Sequence, residues 1–65
     1  MDIFNSYSDA AAQLPLDAKW SSSFGHPGEG GYCEYHRDSA GKRYIIENGS
    51  YLECAPFLWA FSSRP

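Results

Sequence analysis

Between Tyr32 and Cys54 the chain reads as three short strands separated by two turn signals, and this block constrains the fold more than any other. Segments 32–37, 43–47 and 50–54 are rich in Tyr and Ile and alternate them with polar residues, the period of half-buried strands. Asp38-Ser39-Ala40-Gly41 fits a type I turn closed by a left-handed glycine, which sets Asp38 opposite Lys42. Asn48-Gly49 has the composition of a two-residue hairpin turn. It would pair Glu47 with Ser50, Ile46 with Tyr51 and Ile45 with Leu52. The expected product is an antiparallel meander with Tyr35, Ile45 and Leu52 across one face. Glu34, Ile46 and Tyr51 lie across the other, beside His36, Tyr44 and Glu53.

Ahead of this block, Ser6-Tyr7-Ser8-Asp9 forms a capping box and the alanines that follow favour helix, with Pro15 as its stop. Phe4, Tyr7, Ala11 and Leu14 share one helical face, expected to pack on the Tyr35–Ile45 face of the sheet. Trp20 to Phe24 reads as a short edge strand. Phe57-Leu58-Trp59-Ala60-Phe61, apolar throughout, reads as a last strand or a helical turn. The fold class expected is α+β: one domain, residues 1–65, with a short N-terminal helix on a three- to four-stranded antiparallel meander. A chain of 65 residues buries only ~60% of its unfolded surface. Two Trp, five Tyr and four Phe supply the area that a small core otherwise lacks.

Eight acids stand against five bases, for a net charge of −3. No run of Lys/Arg marks the sequence, so direct nucleic-acid binding is not expected, since that affinity comes mostly from phosphate neutralisation. Met-Asp-Ile-Phe-Asn carries no basic, apolar leader pattern, and no stretch approaches the ~20 apolar residues of a membrane span. A cytoplasmic protein without membrane contact is the expectation. His26, Cys33, His36 and Cys54 are zinc-type ligands in the right number. Cys33 and His36, however, stand three apart on a strand and point to opposite faces. The same alternation separates Cys33 from His36 and Glu34 as a nucleophilic set. Cys33 and Cys54 fall two strands apart, beyond disulfide reach. No catalytic residue, metal site or cofactor is therefore expected, and the chain reads as a binding protein and not an enzyme.

A very short acidic frame starting at its own Met1, rich in aromatics and built on tight hairpins such as Ile45-Ile46-Glu47-Asn48-Gly49-Ser50-Tyr51-Leu52, resembles the anti-CRISPR proteins of phages and mobile elements. The resemblance is one of type and no diagnostic motif carries it. It implies a small inhibitor in a bacterial host cell, monomeric or homodimeric. Its implied partner is a CRISPR effector complex whose basic nucleic-acid-binding surface it blocks as a DNA mimic. Glu34, Asp38, Tyr44, Glu47, Tyr51 and Glu53 are the partner-binding residues expected on that reading, acids for Lys/Arg and tyrosines for desolvated contact. The alternative is a phage or host structural protein that assembles through the apolar segment starting at Phe57.

Overall fold

The computed structural model describes residues 1–26, 30–50 and 57–64. Five strands and one short helix follow in the order β1 (Asp2–Phe4), α1 (Tyr7–Ala11), β2 (Lys19–Phe24), β3 (Cys33–Arg37), β4 (Arg43–Gly49) and β5 (Leu58–Arg64). All the strands join in a single antiparallel sheet of order β1-β5-β4-β3-β2. The protein is thus mostly β, with more strands than the expected three to four and a helix of only five residues.

The first hairpin forms as its sequence dictates. Gly41 takes the left-handed conformation at φ +86°, and the Asp38 amide donates to the Lys42 carbonyl at 3.0 Å. Asp38 Oδ1 also accepts from the amides of Ala40 and Lys42, both at 2.9 Å. The register sets His36 opposite Tyr44, Tyr35 opposite Ile45 and Glu34 opposite Ile46. Trp20 to Phe24 is an edge strand, entered one residue earlier at Lys19. Ser6 caps α1 by accepting from the Asp9 amide at 3.2 Å.

The second turn does not form where Asn-Gly suggests. A two-residue turn of that kind needs positive φ at both positions, and neither Asn48 nor Gly49 has it. Both continue β4 and pair with Trp59 and Leu58 of β5. Asn48 is held on three sides. Its amide donates to Tyr32, its carbonyl accepts from Gly31, and its side-chain Nδ2 donates to the Leu58 carbonyl. Ile45, Ile46 and Glu47 accordingly pair with Ser62, Phe61 and Ala60. The strand expected over residues 50–54 lies, from Tyr51 onward, outside the described residues. The apolar segment after Phe57 is a strand, and it sits inside the sheet between β4 and β1. Its Trp59–Phe61 stretch is paired on both edges, with β4 and with β1. Phe4, assigned above to the helix face, belongs to β1 and pairs with Trp59.

The covered face is the reverse of the one expected. β5 adds Trp59 and Phe61 to the side holding Ile46, where α1 packs, and Leu58 and Ala60 to the Tyr35–Ile45 side. Ile46 is fully buried and Tyr44, Tyr32 and Ala10 nearly so, whereas Tyr35 is 40% exposed. The connection from β1 to β2 must pass from one edge of the sheet to the other, and α1 begins that crossing over Trp59. Asp17 fixes its far end by accepting from the Ser39 hydroxyl and amide in the β3–β4 turn.

Ile46 is the largest side chain with no exposed surface. Ile46→Ala is expected to cost about 2–5 kcal/mol, enough to leave a domain of this size largely unfolded at ambient temperature. A urea melt that moves by less than about 1 kcal/mol would place the core elsewhere.

Candidate functional site

Two surfaces hold the chemistry-bearing residues, one on each side of the sheet. On the covered side, alternation along β3 directs Glu34 and His36 inward with Tyr32 just ahead of them. The Glu34 carboxylate is a hub. Its Oε1 accepts from the Tyr7 hydroxyl at 2.7 Å and meets His36 Nε2 at 3.0 Å, while Oε2 accepts from the Tyr32 hydroxyl at 2.5 Å. Trp59 packs edge-on against Tyr7 and Tyr32, with centroids 5.0 and 6.1 Å away. Tyr7, Tyr32, Glu34 and Trp59 line a cavity of about 300 Å³.

The electrostatics follow from burial and donors. Burial pushes the Glu34 carboxyl up, but the hydrogen bonds from Tyr32, His36 and Tyr7 and the His36 charge together hold it below the usual value. Tyr7 is pushed up to about 12 by burial and by its bond to Glu34. Tyr32 is pushed up to about 12 by its bond to Glu34 and by burial. Such a carboxylate is charged, saturated and unavailable to a partner's Lys or Arg. Its neighbours are phenols that hold their protons, and no nucleophile lies beside His36 among the described residues.

The residues expected to form one binding surface are therefore separated. Glu34 and Tyr44 are buried on the covered side, and Tyr44 stacks on Phe61 with centroids 5.9 Å apart. Asp38 closes the β3–β4 turn and accepts from the Tyr44 hydroxyl at 3.0 Å. Glu47 points to the opposite side, in register with Cys33 and Ala60. Tyr51 and Glu53 lie outside the described residues.

On the opposite side Leu58 and Ala60 are buried, whereas the end of the sheet that carries Lys19, Arg37, Arg43 and Arg64 is exposed. The register lays its side chains in rows across the strands. Lys19 pairs with Arg37, Arg37 with Arg43 and Arg43 with Arg64, so four bases form a continuous line over β2, β3, β4 and β5. The fifth base, Lys42, adjoins Arg43 and sits 5.7 Å over the Tyr44 ring instead. The bases scattered along the sequence thus meet in space, a clustering that only the strand register could reveal. All four in the row are exposed. The ion pair among the described residues is His36–Glu34, and no Lys or Arg there lies within 4.0 Å of a carboxylate. Like charges placed directly opposite destabilise a sheet. The next row is Ser22, Tyr35, Ile45 and Ser62. Tyr35, Arg43, Ile45, Glu47 and Arg64 enclose a shallow cleft of about 300 Å³. Cys33, one row further, is half-buried, and burial and then the Glu47 carboxylate push its thiol up, away from the reactive thiolate. Among the described residues there is no group of His, Cys, Asp and Glu arranged to hold a metal ion, and no helix long and apolar enough to cross a membrane.

The hub predicts stability losses at both pH extremes. Glu34 titrates lower folded than unfolded, so its contribution is present above the ordinary carboxylate value and lost as pH falls through the lowered one. Tyr7 and Tyr32 titrate higher when folded, so theirs is complete below about pH 10 and lost as pH rises through about 12. Phenolate absorbance and circular dichroism should report ionisation and unfolding together in that alkaline window. The Tyr7→Phe/Tyr32→Phe variant should be less stable at neutral pH yet lose less between those limits. Comparison with protein-family models, curated proteins and solved structures finds no match to this chain, so its function is read from its own geometry.

Proposed function

We propose that this protein acts by binding a macromolecular partner and not by catalysis, and that the open side of its sheet is the contact surface. The observation that carries this reading is the inequality of the two sides. One side has its acid, imidazole and phenols locked into a single hydrogen-bonded hub. The other presents Tyr35, Ile45, Glu47 and a line of bases with no carboxylate within 4.0 Å among the described residues, carried on strands of which β3 and β4 are paired at both edges. Tyrosine and arginine together are the residues that anchor interfaces. A half-buried thiol with a raised pKa, facing away from the histidine, offers no nucleophilic pair.

The partner class follows from the resemblance in size, acidity and aromatic content to anti-CRISPR inhibitors, which points to a CRISPR effector complex in a bacterial cell. The acidic, DNA-mimicking mode loses support, because Glu34 and Asp38 spend their carboxylate oxygens inside the protein. Glu47 and Tyr35 are the members of the open side best placed to meet a partner beside the bases.

The test is capture of effector complexes by tagged protein from lysates that express them. The Tyr35→Ala/Glu47→Gln variant should fold as the parent does and lose about tenfold or more in capture, the range of interface anchors. Full capture by that variant would remove the open side as the site. No capture by the parent would remove the CRISPR effector as the partner.

A further inference from the structure

We infer that the row Lys19–Arg37–Arg43–Arg64 is a binding site for the sugar-phosphate backbone of a single-stranded nucleic acid, with Tyr35 beside it as a stacking platform. The inference rests on the open side being the contact surface and names the chemistry it meets. Four bases in adjacent cross-strand positions repel one another, and no described carboxylate lies within 4.0 Å to relieve them. An arrangement that costs stability in the free protein is relieved when an anion with several charges lies along it.

The dimensions suit a strand of phosphates. Three inter-strand spacings of about 4.8 Å make the row about 14 Å long. A row of that length meets several successive phosphates of one strand. The acids at this end are already engaged: Asp38 by its own turn and Tyr44, Asp17 by Ser39. Their negative charge lowers the local potential without closing the row. Tyr35 stands two residues along β3 from Arg37, on the same side and 40% exposed. An aromatic ring one row from a phosphate track is the pairing that single-strand binders use, since every base offers a face to stack on. The cleft bounded by Tyr35, Arg43, Ile45, Glu47 and Arg64 adjoins the track, with its arginine end beside the phosphates and Glu47 at the end away from them.

The experiment is fluorescence anisotropy with labelled oligothymidylate, oligouridylate and a duplex, at several salt concentrations. The expected result is saturable binding of the single strands, weaker binding of the duplex, and a log–log salt slope of about −3 from four contacts. Arg37→Gln/Arg43→Gln should lower affinity about tenfold or more and make the slope shallower by about 1.4. That variant removes repulsion, so its fold is expected to survive, and a thermal melt checks this. Tyr35→Ala should weaken binding with the slope unchanged. Three results would overturn the inference: no saturable binding at low salt, equal affinity of the double arginine variant, or polyglutamate competing as well as the oligonucleotide. Should the oligonucleotides fail to bind while Tyr35→Ala/Glu47→Gln still loses effector capture, the nucleic-acid assignment falls and the open side stands as a protein contact.

Discussion

The Glu34 carboxylate organises this molecule. It receives Tyr7 from the helix, Tyr32 from the approach to β3 and His36 from two residues along the same strand. A buried carboxylate without donors would be costly, and the three donors make it tolerable. In return it ties the only helix among the described residues to the middle of the sheet, where apolar contact alone is thin. Ile46 is the single large side chain wholly removed from water. The rest of the interior is aromatic edge, with Trp59 between two tyrosines and Phe61 under a third. Phenols suit such a core because each ring fills volume while its hydroxyl reaches a partner, Glu34 for two of them and Asp38 for Tyr44.

That choice of interior decides what the other side can do. With the hub and the aromatic stack on one side, the helix lies there too, and on the opposite surface the bases gather at the end away from the buried Leu58 and Ala60. Arg37 and Arg43 flank one turn while Lys19 and Arg64 come from further along the chain in either direction, yet antiparallel pairing places all four in line. Net charge is a poor guide to such a surface. An overall value of −3 coexists with a row of four bases because strand pairing lines up residues that are scattered in the sequence.

What was legible in the sequence was local. Ser6 capping Asp9, the turn from Asp38 to Lys42 with its left-handed Gly41, the register of β3 on β4 and the edge strand after Trp20 all follow from neighbours in the chain. The failures share one cause, which is a contact made by a distant strand. Asn48-Gly49 has the composition of a turn, but β5 on one side and Tyr32 on the other hold it extended. The helix-facing side was misassigned because Trp59 and Phe61 arrive only with β5. Glu34 and Tyr44 were taken for surface residues for the same reason. The alternation correctly set them on the same side as Ile46, but it carries no sign saying which side is covered. The basic row needed three registers at once, two of them with no turn signal to announce them.

The sheet is closed at one edge by β1, whose Asp2, Ile3 and Phe4 pair with Phe61, Ala60 and Trp59. These partners come from near opposite ends of the described chain. The entropy of closing so long a loop must be met before the pairing returns anything. Local hairpin formation around Gly41 needs no such search, so the order of events is built into the topology: β3 and β4 first, the flanking strands next, β1 last. During synthesis, β1 leaves the ribosome early and waits unpaired until β5 has followed it. For that interval Trp59's place in the sheet is empty and the aromatic interior cannot close. The aromatic interior therefore closes only once β5 is available, and the short strand made first is the last to find its partner.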